Sequence, residues 1–119
     1  MQRWLVVVGI VLMAVVGCAP TVGEDLPSFV VQRIELLKVA PKSNPPASIW
    51  RHKYKGRVVY YVPPSCCDVP SELYDDDGNL ICGPDGGLTG KGDGKCPDFF
   101  EQRTEGLRIW HDSRIEWPW

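Results

Sequence analysis

The sequence predicts an α+β fold: one amphipathic helix packed on a small antiparallel sheet of two hairpins, stapled by disulfides and carrying a glycine-rich loop. Three observations predict it. One helical period, SFVVQRIELLKVA, precedes a proline break. Short alternating segments then come in two pairs, each pair separated by turn residues, which is the pattern of half-buried antiparallel strands. Last, every cysteine except Cys18 falls between Cys66 and Cys96, together with most of the glycine.

The chain opens with Arg3, an apolar run from Leu5 to Val16, and Gly17-Cys18. A charged start, an apolar middle and a small residue before a cysteine make the pattern of a removable export signal. Residues 1–17 resemble a bacterial lipoprotein signal peptide, with Cys18 as the first residue of the mature chain. An apolar run of about a dozen residues is too short for a membrane span, which needs roughly twenty. Cys18 is then expected to carry a thioether-linked diacylglycerol and an amide-linked acyl chain such as palmitate. Several buried chains satisfy the two-signal requirement for stable anchoring. The expected location is the cell envelope, with the membrane as a partner through lipidated Cys18; Ala19 after the anchor points to the outer membrane in a two-membrane host. Residues 18–26 read as a tether, polar and broken by proline and glycine. Residues 27–119 read as a single small disulfide-stapled domain.

Along that domain, Val30, Ile34 and Leu37 share a stripe at helical spacing, with Ser28 as the expected N-cap and Pro41 as the stop. SIWRHKY and RVVYYVP flank Lys55-Gly56 and are expected to pair. In near-symmetric register Trp50, His52, Tyr54, Val59 and Tyr61 share one sheet face, while Val58, Tyr60 and Val62 share the other. Residues 71–74 and 80–82 flank Asp75-Asp76-Asp77-Gly78-Asn79, whose Asp-Gly predicts a second hairpin. Residues 83–95, GPDGGLTGKGDGK, are too glycine-rich for helix or strand and are expected as a surface loop. A helical turn over 97–103, a last strand over 106–111 and the tail IEWPW complete the chain. Trp117 and Trp119 in that tail are expected either to fold back or to meet a partner.

Export places the chain in an oxidising compartment, where Cys66, Cys67, Cys82 and Cys96 read as disulfides. Adjacent cysteines bridge each other only under strain, so Cys66 and Cys67 are expected to pair with Cys82 and Cys96, in either combination. Two disulfides are favoured over zinc, because an adjacent pair and two singles do not match the paired spacing of structural zinc sites. With a net charge of −2 and both signs interspersed, the chain lacks the basic stripe that neutralises phosphates, which excludes nucleic acid as a partner.

The loop offers Asp85, Lys91, Asp93 and Lys95 as residues to meet a partner. GGLTGKG departs from a phosphate-binding loop, since Asp85 stands where the first glycine belongs and Gly92 where Ser or Thr belongs. Asp75-x-Asp77-x-Asn79 resembles the opening of a calcium loop, but Leu80 occupies the sixth position and Gly86 the twelfth. A calcium site built otherwise, from Asp75, Asp77, Asp85 and Asp93, is the alternative; ordinary turn chemistry explains the same aspartates. His52 and His111 are the residues on which an enzyme would rest. Both read as sheet histidines, so no catalytic residue is expected.

The block YYVPPSCCDVPSELYDDDGNLICGPDGGLTGKGDGKCPDF, preceded by IWRHKYKG, resembles a family of short bacterial lipoproteins and secreted proteins, of Bacteroidetes-like lineages, that carry a domain of unknown function. The resemblance covers residues 48–112 and implies an envelope location and a cysteine-stapled domain. It implies no activity. The expectation is an uncharacterised, non-enzymatic binding or structural domain that uses its pinned loop, in the manner of an inhibitor, on an envelope protein or glycan.

Overall fold

The computed structural model describes residues 26–66 and 68–114. The expected signal peptide, the lipidation site Cys18, nearly all of the tether, Cys67, and Trp117 and Trp119 lie outside the described residues. Among those described, no helix is long and apolar enough to cross a membrane.

Among the described residues, two helices and five strands follow in the order α1 (Ser28–Val39), β1 (Ser48–Tyr54), β2 (Arg57–Val62), β3 (Glu72–Asp75), β4 (Leu80–Cys82), α2 (Phe99–Gln102) and β5 (Thr104–His111). The strands form one sheet in the order β4-β3-β2-β1-β5, and every neighbouring pair is antiparallel. Chain order and sheet order agree through the first four strands. β5 then returns to the far side of β1, a pairing that no local signal specifies.

The register Trp50↔Tyr61, His52↔Val59 assigns the two faces as alternation predicts. On one face Val30 and Ile34 of α1 pack with Ile49, Tyr60 and Val62. On the other, Tyr54, Val59, Tyr61 and Leu73 pack with Cys82, Cys96 and Phe99. The sheet therefore separates two small cores, and Phe99, fully buried, takes on the second face the place that α1 holds on the first.

α1 departs from its expected form. Val30 and Ile34 are buried and Leu37 packs at their margin, but Val31, Leu36 and Val39 are exposed. Apolar residues stand on both sides of the helix rather than in one stripe. Pro27, not Ser28, occupies the N-cap, and no side chain caps the first turn. The other end is better held: Arg114 donates from Nη2 to the carbonyls of Leu37 and Ala40 at 3.2 and 2.9 Å. Carbonyls at a helix end have no partner within the helix, and here a guanidinium beyond β5 supplies one. The buried Asp112 carboxylate holds that guanidinium, accepting from its Nε and Nη2.

Candidate functional site

The glycine loop is held first by sulfur. Cys82 and Cys96 form a disulfide with their α-carbons 6.1 Å apart. This corrects the expected pairing of each with Cys66 or Cys67. Cys82 ends β4, and the glycines after it turn the chain back on itself, so the sulfur delivered to Cys82 is the one downstream. Cys66 lies exposed in the bend after Pro63-Pro64.

Hydrogen bonds then fix the path between the two sulfurs. Asp93 N–H donates to the Gly83 carbonyl at 2.9 Å, and Gly83 N–H returns a bond to Asp93 Oδ2 at 3.0 Å. Asp93 Oδ1 also accepts from Lys95 N–H. Those amides, Lys95 first, hold the Asp93 carboxyl below the usual carboxylate range. Gly92 N–H reaches the Gly86 carbonyl, and Gly90 N–H the Gly87 carbonyl, which closes the tip as a tight turn. Only glycine fits at 92, where φ is +66° and a Cβ would fall on the Gly83 carbonyl oxygen.

The base of the loop is tied to the sheet through Asp85. Its Oδ1 accepts from the Tyr61 hydroxyl at 2.7 Å, and its backbone exchanges bonds with Ser71, whose N–H donates to Asp85 O and whose Oγ accepts from Asp85 N–H. Burial, reinforced by the adjacent carboxylate, pushes the Tyr61 phenol far above its ordinary range, so it stays a donor. The tip of the loop, Leu88 to Lys91, faces outward, with Leu88 91% exposed.

Of the four loop residues named from the sequence, two are occupied within the protein. Asp85 and the exposed Asp93 hold the loop's own structure with their carboxylates; Lys91 and Lys95 are exposed as well. Leu88 was missed; an isolated leucine between glycines carries no periodic signal. Tyr61 and Ser71 were missed as supports, because their bonds to Asp85 span 24 and 14 residues.

The carboxylates named for calcium are not assembled as one set. Among the described residues, the acidic group with ligand oxygens within 4.8 Å of one another is Asp75, Asp76 and Asp77. Asp75 is already engaged there: it accepts from the N–H groups of Asp77 and Asn79 at 3.0 and 2.9 Å, and from Asn79 Nδ2. These bonds, the Asn79 amide foremost, draw its carboxyl below the usual range. This is a side chain closing its own turn.

The histidines are also apart in environment. His111 is exposed at the end of β5, and His52 is 6% exposed in the aromatic face between Trp50, Tyr61 and Phe99. Neither ring nitrogen of His52 has a hydrogen-bond partner.

No match was found among curated proteins or among solved structures. A family model does match, over residues 35–112, which take in all five strands, the disulfide and the loop. The chain belongs to the family described as a domain of unknown function (DUF6970).

Proposed function

We propose that the chain is a non-enzymatic, lipid-anchored envelope domain that docks on a protein partner through the tip of its disulfide-clamped loop. The observation that carries this reading is Leu88, 91% exposed at the tip of a loop held by a disulfide and by paired bonds at both ends. A large apolar side chain offered on a pre-ordered loop costs little entropy when it enters an apolar depression. Its chemistry favours a protein over a glycan, since a leucine methyl group offers a sugar hydroxyl no hydrogen bond. The inhibitor variant of this reading takes a particular form. The loop is folded on itself at Gly87 and Gly90, not extended, so it would act as a knob closing a depression rather than as a strand threaded through a protease cleft.

A photo-crosslinking residue placed at position 88 of the full-length chain, in its own envelope, tests this reading. One discrete adduct is expected, lost when Gly92→Ala disturbs the loop. An absence of adducts at 88, with a discrete adduct from position 31 or 39 on α1, would move the docking surface off the loop.

A further inference from the structure

A cleft of about 520 Å³ opens on the same sheet face as the disulfide, lined by Trp50, His52 and Tyr61 and by Arg103, Glu105 and Gly106. That volume lies within the range of small-molecule sites. Its wall is shaped by an irregularity in β5. The register passes from Arg51↔Leu107 to Lys53↔Thr104, so Glu105 and Gly106 stand together opposite His52. Glu105 takes φ +54°, unusual for a residue with a side chain. Gly106 lies so close that a Cβ there would come within 2.8 Å of His52 Cε1. Bulges of this kind re-aim side chains and recur beside functional sites.

The floor of the cleft holds a polar group that the fold leaves unused. The imidazole of His52 is more than nine-tenths buried and neither nitrogen is hydrogen-bonded, although a neutral imidazole carries one donor and one acceptor. Buried polar atoms without partners are rare, and a missing ligand is one reason for them. The rim carries one uncompensated charge. Lys53 holds Glu105 at 3.0 Å, whereas the Arg103 guanidinium lies over the rings of Phe100 and Phe99, 4.7 and 5.8 Å from their centres, with no carboxylate in ion-pair range among the described residues.

We propose that this cleft binds a small, ring-bearing organic carboxylate. Arg103 pairs with the carboxylate, the Trp50 indole flanks the ring, and His52 gives the ligand the hydrogen bond it makes to nothing in the protein. A guanidinium held over aromatic faces is suited to this, because it stays charged and offers a planar fork to a carboxylate. The site is independent of Leu88 and of the docking reading above.

The test uses the full-length chain with benzoate and glucuronate as probes and benzyl alcohol as the uncharged control, followed by the nuclear resonances of His52 Hε1 and the Trp50 indole N–H. Saturable shifts of both resonances with at least one acid are expected, and none with benzyl alcohol. Arg103→Gln, an exposed position, should weaken that binding at least tenfold, while Arg103→Lys should retain part of it. The proposal is overturned if neither acid gives saturable shifts, if benzyl alcohol binds equally well, or if Arg103→Gln leaves the affinity unchanged.

Discussion

Gly92 and Gly87 share a left-handed backbone, with φ of +66° and +73°, yet their surroundings differ. At 87 an added Cβ meets nothing within 4 Å; at 92 it meets the Gly83 carbonyl. Gly87→Ala should therefore cost only the left-handed penalty, about 1 kcal/mol. Gly92→Ala should cost more, about 3 kcal/mol, and loosen the Gly83–Asp93 pair. Urea unfolding of the two variants should preserve this order. Asp75 invites the opposite experiment, one in which nothing happens. Its carboxylate is committed to the Asn79 and Asp77 amides, so millimolar calcium should leave the melting temperature unchanged, and a rise would instead establish the cation site. At this scale the sequence was informative about residue type and poor about residue role. Aspartates between glycines were legible as turn formers, but the inward role of Asp85 depended on Tyr61 in β2 and on Ser71 just before β3, both far from it along the chain.

Among the elements, the second sheet face rests on two fixings of different kinds. The disulfide closes a separation of 14 residues, and in the chain-entropy account such a cross-link contributes about 3 kcal/mol. Removing it as Cys82→Ala with Cys96→Ala should lower the unfolding free energy by about that amount. Phe99, by contrast, is one side chain from a helix of 4 residues, fully buried against Tyr54, Tyr61 and His52. Phe99→Ala should cost about 4 kcal/mol, in the range for emptying an aromatic site, and denaturant titration should rank it above the loss of the disulfide. The strands were legible because alternation and turn residues are local, and β1 and β4 fall where those signals put them. α1 was legible as a helix but not as a stripe, since Leu36 and Leu37 are adjacent and only the packing of the sheet decides which is covered. The cysteine pairing was not legible, because it follows the path of a loop whose turns are made by glycines rather than by any periodic pattern.

For the molecule as a whole, acid acts in two separate windows. Burial, and then the charge of Arg103, hold the His52 imidazole below its ordinary 6.5. The unfolded chain therefore takes up this proton first, so stability is full above pH 6.5 and declines as pH falls below it toward the folded value. Asp112 acts lower: its bonds from Arg114 bring its carboxyl down to about 2 from 3.8. The stability it contributes is present above 3.8 and is lost as pH falls toward 2. Unfolding measured across pH should show both declines, the upper one removed by His52→Gln and the lower one softened by Asp112→Asn.

β5, whose place beside β1 rests on contacts across half the chain, also forms one border of the sheet. Its pairing with β1 slips twice, between Ile49 and Trp50 and again between Arg51 and Lys53, and Glu105 and Arg108 stand exposed along it. An even border would offer a stranger's strand a row of amides and carbonyls at regular pitch. This one is uneven and charged, so crowded copies find no regular template along it on which to stack into fibrils.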